Sequence, residues 1–425
     1  MVNRMNAANV SFAKYMVRLL VMTTALLVPT VAASAQWTQW GGPAGEFRSD
    51  GQGLASTWPE SGPKQVWKRE LGEGYSAVLV EGDRLYTMYR SGDEKETVIA
   101  LAAASGQTIW EHKSDSKPHA EHVMQFGGGP RATPAIDGDR LYAVGVSGTM
   151  YCLDKKDGKL VWTKELWKDF GGNVLNHGYS SSPLIYQDLV IVFVGGAGHA
   201  VVALNKSDGS PVWQKHDYEN SFSSPKLISL DGSDQLIALM QKALVALNPR
   251  TGELLWEFKP EAEFNYHATQ AIWGPDNILF VPSFSAGAHG LKLVKNGDKV
   301  EVQPLWNSMK VRFEHVAGVG GKDYVYGCSG GGHGPAFMTA TDIRTGKLLW
   351  RERGFTMANC IGAGDYLIIL DEDGQLALAK PTPEKLNVLS KTNVLEKVTW
   401  TVPTLVGTKL YVRDKKHIMA LDLGA

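Results

Sequence analysis

Short apolar runs of four or five residues, each broken by a Gly-, Asp- or Asn-bearing turn, recur along nearly the whole chain. The stretch 132–166, ATPAIDGDRLYAVGVSGTMYCLDKKDGKLVWTKEL, holds four such runs: TPAI, RLYAV, TMYCL and KLVW. DGD, GVSG and DKKDG separate them. These turn sequences supply the positive-φ positions that tight hairpins need, so the unit is predicted as a four-stranded antiparallel meander. Comparable units follow. The first runs from SAVLVEGDRLYTMY to VIALAAASGQTIW, the third is SSPLIYQDLVIVFVGGAGHAVVALNKSDGSPVW, and the fourth is SSPKLISLDGSDQLIALMQKALVALNPRTGELLW. The fifth and sixth carry longer inserts. In the seventh, Val388 or Leu389 takes the place of a closing tryptophan. The eighth, VPTLVGTKLYVRDKKHIMALDLGA, has only three strand-like runs, while GPKQVWKREL at 62–71 is an orphan fourth.

Five units end in Gly-x-x-(Ile/Val/Leu)-Trp, at Trp110, Trp162, Trp213, Trp256 and Trp350, with looser copies at Trp67 and Trp306. Successive tryptophans lie 43 to 52 residues apart. A period of that length marks one supersecondary unit copied along the chain. A tryptophan ending the outermost strand of each unit can wedge against its neighbour and bury about 150–250 Å², so these seven are read as packing residues and not as a ligand ladder. The terminal fragments complete one another, and a ring so closed leaves only short, protected strand edges. The predicted fold is all-β: an eight-bladed β-propeller of four-stranded antiparallel blades, closed by an N-terminal strand. Seven blades is the alternative if the irregular fifth or seventh unit forms no full sheet. The divisions expected are a signal peptide over 1–35, an extended segment over 36–62, and the propeller over 63–425.

The leader reading rests on Arg4, Lys14 and Arg18, on the apolar run LLVMTTALLVPTV (19–31), and on Ala33-Ser34-Ala35, a small-x-small cleavage pattern. The run is too short and interrupted for a membrane span. The expected mature chain starts at Gln36, has no transmembrane segment, and is periplasmic or secreted. No Cys precedes Cys152, so no lipid attachment is expected near the cleavage point. Losing three cations takes the formal charge from −1 to −4. That argues against nucleic acid, which needs a clustered basic face. Cys152, Cys328 and Cys360 form no CxxC, so no zinc site is expected; one disulfide or three buried thiols both fit.

Units such as VALNPRTGELLW and CLDKKDGKLVW resemble the pyrroloquinoline-quinone-type (PQQ) propeller repeat. That repeat occurs in the outer-membrane assembly factor BamB and, more distantly, in quinoprotein alcohol dehydrogenases. WTQWGGP (37–43), WPESGPKQVW (58–67), GPRATP (129–134) and WTVPTLVGTKLYVRD (400–414) are similar to exported bacterial PQQ-like propeller proteins. The likeness covers the chain from about Trp37 onward. It implies the propeller fold and leaves the activity open, because fold does not carry function.

Propeller ligands sit at the central axis, where the innermost strands begin. Aligning the units places Tyr75, Arg131, Ser180, Phe222, Thr269, His315, Met357 and Trp400 at equivalent positions there. Arg131, His315, Trp400 and Tyr75 are the candidate binding residues, suited to a flat anionic or amphipathic ligand. A ring of unit-start residues packing a narrow channel is the competing reading. PQQ with calcium needs cations for three carboxylates, an aromatic floor, several oxygen ligands for the metal and a carboxylate base. Arg131 and Trp400 answer the first two needs. Glu73, Glu219, Glu263 and Glu314, with Asn265 and Asn359, show no metal-ligand spacing. The dehydrogenases' vicinal cysteine pair is absent. His177, His267, His289, His315 and His333 are scattered. HVMQFGGGP (122–130) and CSGGGHGP (328–335) lack the strand-to-helix setting of a phosphate loop. DEDG (371–374) is a hairpin turn and not a calcium loop. The sequence therefore points to a non-catalytic binding or scaffolding module of the cell envelope, with no catalytic residue, metal or cofactor. Its partner would be an envelope protein or a small molecule at the axis. The alternative is a PQQ-dependent periplasmic oxidoreductase acting on an alcohol or sugar.

Overall fold

Eight antiparallel sheets stand around one axis, as the repeat predicts. The structure, a computed structural model, describes residues 36–425 except 93, 118, 120, 261–263, 265–266, 315–317 and 332–333. The predicted leader and His315, Glu263, Asn265 and His333 lie outside the described residues. Blades 1 to 7 span 79–115, 135–165, 184–215, 226–258, 272–308, 319–352 and 358–393. Blade 8 joins 404–422 to the N-terminal strand Lys64–Glu70, which pairs antiparallel with His417–Asp422. The ring is thus closed by its own N-terminus. The irregular fifth and seventh units both form full sheets, so the count is eight.

Each closing tryptophan sits just past a β-bulge in the outer strand and opposite a small residue of the third strand. The pairs are Trp110 with Ala100, Trp162 with Cys152, Trp213 with Ala203, Trp256 with Ala246, Trp306 with Gly290, Trp350 with Ala340 and Trp67 with Ala420. The indole then reaches the next blade. Trp67, Trp110, Trp162, Trp306 and Trp350 donate Nε1 to carbonyls of Ala103, Lys155, Lys206, Ile343 and Thr382 at 2.9–3.0 Å. The motif's glycine explains itself here. A β-carbon on Gly106, Gly158, Gly209, Gly252 or Gly346 would lie 2.4–2.8 Å from the ring of the tryptophan arriving from the preceding blade. All five glycines also have φ between 68° and 74°, the left-handed region that other residues avoid. Gly-x-x-x-Trp is therefore a relay in which the glycine receives one ring and the tryptophan passes on another.

The relay changes at three places. Trp350 bonds the Thr382 carbonyl of blade 7, where no glycine among the described residues lies under its ring. Trp256 donates to Gln235 of its own blade, because the next blade's long hairpin (Ala288–Asn296 with Lys299–Ser308) brings no such glycine. In blade 7 the bulge puts Ser390, and not Val388 or Leu389, at the tryptophan position: Leu378 faces Ser390 and Ala379 faces Val388. Val388 and Leu389 are exposed, and the Ser390 hydroxyl accepts the backbone N–H of buried Trp58 at 2.7 Å. The missing tryptophan is thus answered from the N-terminal segment.

That segment does not merely precede the ring; it crosses one end of the axis. Trp37 exchanges two backbone bonds with Val80 of blade 1, and Thr38 accepts from Ile136 of blade 2. The Gly45 carbonyl accepts from Lys226 Nζ of blade 4 at 2.9 Å, and Arg48 donates to Gly320 of blade 6 at 2.9 Å. Arg48–Ser49 adds a short parallel strand inside blade 7. Ala55 donates to Leu423, beside blade 8's strand His417–Asp422. The seam between blades 8 and 1 holds a fully buried Arg413, which donates to the carbonyls of Gly72, Ser76 and Met88 and to Thr87 Oγ1. Burial holds its guanidinium pKa down at about 10. Cys152, Cys328 and Cys360 are all free and buried, which decides between the two sequence readings.

Gly158→Ala places a β-carbon 2.5 Å from the Trp110 ring on a backbone at φ 74°. It is expected to lose about 2–4 kcal/mol of stability, read as an earlier urea-denaturation midpoint, whereas Gly138→Ala in an open turn loses only its backbone strain.

Lys226 is 5% exposed, and burial lowers its pKa to about 8 from an ordinary 10.5. The unfolded chain then binds the extra proton between those values. The cost of burying the charge is fully present below pH 8 and fades as pH rises toward 10.5. Lys226→Met is expected to raise stability at pH 7 by about 1–2 kcal/mol, the relieved charge being partly offset by an unpaired Gly45 carbonyl. The gain should shrink by pH 10 in paired denaturation curves; a variant less stable than the parent at pH 7 would contradict this account.

Candidate functional site: the axial cup

Around the axis, adjacent inner strands are bridged by side-chain hydroxyls. Thr133 Oγ1 accepts from the Ala77 amide, Ser182 Oγ from Thr133 and Ser224 Oγ from Ser182, at 2.9–3.0 Å. Ser223 Oγ donates to Thr269 O and Thr404 Oγ1 to Val78 O. The hydroxyls stand just before or after prolines, in ATP, SSP, SSP and VPT, where proline has no N–H to bond. This belt sets the height of the residues preceding each inner strand.

Those residues line a cavity of about 1160 Å³. Tyr75, Arg131, Ser180, Phe222, Thr269, Met357 and Trp400 all face it, so seven of the eight aligned positions come together. The eighth, His315, lies outside the described residues. The cavity opens between the loops that link successive blades and the hairpins after each second strand. Trp40 and Phe47, in edge contact at 5.0 Å, close its other end. The crossing of the N-terminal segment thus turns a channel into a one-ended cup.

One wall is aromatic. Trp400 stacks on Tyr75 at 5.5 Å and 28°, and Phe126 packs 5.3 Å from Trp400. His177 continues the row, 5.6 Å from Phe126 and 5.7 Å from Phe222. Trp400 Nε1 donates to Glu372 at 3.0 Å and its carbonyl accepts from Asn359 at 2.8 Å. Arg131 lies 5.5 Å over the Tyr75 ring and donates to Gly127 and Gly129 carbonyls. Burial lowers its pKa, and burial raises that of Tyr75, whose hydroxyl donates to Phe126 O. The Phe126 loop is itself pinned: Arg90 Nε donates to Gly128 O at 2.6 Å and Glu73 accepts from the Gly128 amide. The buried pair Arg90–Glu96, 3.6 Å apart, ties this loop to blade 2 through the Val146 amide. Burial raises the Glu96 pKa.

The opposite wall carries Phe284, Phe337 and Phe355 with Arg312 and Arg353, none of which the repeat alignment singled out. Phe284 and Arg312 flank the long hairpin of blade 5, Phe337 opens a strand of blade 6, and Arg353 and Phe355 follow that blade's outer strand, at positions that alignment on the inner turns does not sample. Trp40 was legible only as part of WTQWGGP. Among the described residues no group of three His, Cys, Asp or Glu side chains is placed to hold a metal ion. His267 and His289 pack around Phe264, away from the cup. Among the described residues the cavity lining contains two carboxylates, Glu314 and Glu372, and the second is held by Trp400.

The profile of the family described as outer membrane protein assembly factor BamB matches residues 46–125 and 94–272. BamB of Shewanella oneidensis is 22% identical over 67% of this chain and 72% of its own length. The crystal structure of BamB from Moraxella catarrhalis superposes with a TM-score of 0.59 at 20% identity, covering 84% of this chain and 97% of that one. A quinohemoprotein alcohol dehydrogenase from Comamonas testosteroni gives 0.69 at 13% identity, over 93% and 81%, a likeness of fold alone.

Proposed function

Because the chain belongs to the family of the outer membrane protein assembly factor BamB, we propose that it is a non-catalytic binding or scaffolding module of the cell envelope, with the axial cup as its port. The observation that carries this reading is the family match together with a cup built for contact and not for chemistry. Its wall pairs aromatic faces with arginines, and several polar groups on the Tyr75 side are committed to holding that wall. Arg131 is spent on two carbonyls, Glu372 on an indole N–H, and Tyr75 on the Phe126 carbonyl. The expected leader would deliver the chain to the periplasm or the medium. An envelope protein is the favoured partner.

The second reading is a PQQ-dependent oxidoreductase, favoured by the stacked Trp400 and the nearby Arg131. Such a quinone would supply hydride-accepting chemistry toward an alcohol, Arg131 would meet its carboxylates and Trp400 its ring, and a calcium ion would be needed to polarise its carbonyl. The residues present do not fit it. One face of Trp400 is covered by Tyr75, and the cup's two carboxylates gain no third acidic ligand among the described residues. A general base with a free carboxylate is not assembled beside an oxygen-rich metal site, which the chemistry requires.

Purified protein with added quinone and calcium is expected to show no alcohol- or sugar-dependent dye reduction. In-cell crosslinking from a photoreactive residue at Gln125, on the cup lining, is expected to trap an envelope protein. Substrate-dependent dye reduction with quinone at about one per chain would replace the scaffold reading with the enzyme.

A further inference from the structure

The far side of the cup's mouth carries an unusual concentration of cations laid over aromatic rings. Arg312 stands 4.5 Å over Phe284, Arg353 5.4 Å and Arg351 5.6 Å over Phe337, and Lys391 4.2 Å over Phe355. The three phenylalanines, with Arg312 and Arg353, line the cavity. The cluster is continuous, because Lys391 donates to Gly354 O and Arg351 to Lys310 O.

None of these four cations is in an ion pair among the described residues, whereas Lys and Arg side chains elsewhere form many. Asp371, the acid beside Lys391, is buried and accepts the Thr356 and Gln375 amides, and it attracts Lys391 without forming an ion pair with it. A crescent of cations interleaved with rings, with no ion pair among the described residues, therefore borders the cavity: Arg312 and Arg353 line it and Arg351 and Lys391 stand exposed, on a chain whose formal charge is −1 overall.

We propose that this crescent, formed by blades 5 to 7, is the docking surface for an acidic, aromatic-bearing segment of a partner polypeptide. The inference rests on the binding-module reading and names the chemistry of its partner. Carboxylates would meet the guanidinium edges while rings extend the stacks, each supplying what the rim lacks. The cavity, at about 1160 Å³, exceeds the ordinary range for a drug-sized ligand and accommodates several residues of an extended chain. A bilayer surface is disfavoured because Arg312 and Arg353 line a recess that a flat sheet of headgroups does not enter.

The probe is a fluorescein-labelled (Glu-Tyr)₄ peptide, followed by anisotropy with the full mature chain. It is expected to bind at least about tenfold tighter than (Lys-Tyr)₄ and to weaken as salt rises from about 20 to 200 mM. The double variant R312A/R353A should lose about tenfold in affinity with an unchanged melting transition, since Arg353 is exposed and Arg312 half-buried. Lys299→Ala, on the outer strand of blade 5, should bind as the parent does. Equal binding of the two peptides, or an unaltered R312A/R353A, overturns the proposal. Phosphatidylglycerol vesicles that bind and displace the peptide overturn it as well, by assigning the rim to a membrane. None of these outcomes touches the scaffold reading, which stands or falls on dye reduction and crosslinking.

Discussion

The structure depends on one contact made repeatedly: an indole laid on the bare α-carbon of the next blade's turn. Among the described residues no strand of one blade pairs with a strand of its neighbour, and the N-terminal strand pairs within blade 8. The angle between successive sheets must therefore come from side chains. A tryptophan supplies area, a single N–H that finds a carbonyl, and a rigid plane. A glycine at positive φ supplies the only surface flat enough to receive that plane at this distance. Five glycines each seat one tryptophan ring, and Trp350 bonds Thr382 O with no glycine among the described residues beneath it. The glycine serves one interface and the tryptophan the next, so a defect in one unit is felt on both of its sides.

Where the relay lapses, the chain compensates locally. At the fourth interface Trp256 turns back to Gln235, and a longer hairpin covers the gap. At blade 7, Trp58 comes in from outside the repeat and bonds Ser390. The N-terminal segment thus has three tasks. It supplies the eighth blade's outer strand, fills the seventh blade's vacancy, and seals the axis. The seal contains a buried lysine, a group that hydrophobic burial alone would exclude. Its ammonium binds the Gly45 carbonyl across the axis and fixes where the segment crosses, at the expense of an unfavourable charge in the interior.

Much of this was legible in the sequence because repetition turns weak local signals into strong ones. Turn dipeptides and apolar alternation placed the strands of blade 2 within a residue or two of where they lie. Aligning units on one turn selected seven residues that do share a cavity. What escaped was whatever occurs once. The bulge that moves Ser390 into the tryptophan position is a one-residue register effect, invisible to a pattern of apolar residues. The path of residues 37–58 depends on contacts with blades hundreds of residues away, as in Gly362 donating to Phe47. Arg312 follows the long hairpin of blade 5, Phe337 opens a strand of blade 6 and Arg353 follows that blade's outer strand, so alignment on the inner turns selects none of them. His315, chosen from the repeat, lies among residues the structure leaves undescribed.

These two kinds of position divide the molecule by role. Repeated residues are under the same geometric demand in every blade, so they converge on the same chemistry, and that chemistry is structural. Residues at the mouth have no common geometric demand, since each blade meets the axis from a different direction around the cup. They are free to differ, and they do: a tyrosine, an arginine, a serine, a phenylalanine, a threonine, a methionine and a tryptophan occupy equivalent places. An asymmetric lining on a symmetric frame can distinguish one orientation of an extended ligand from another, which a uniform ring could not. The aromatic wall near Tyr75 and Trp400 has its polar groups satisfied internally. The opposite rim lays Arg312 and Arg353 over phenylalanine rings with no ion pair among the described residues, while Arg312 Nε also donates to the Phe284 carbonyl. Recognition by this cup therefore has a direction: a partner is read by charge on the side of blades 5 to 7 and by shape on the other.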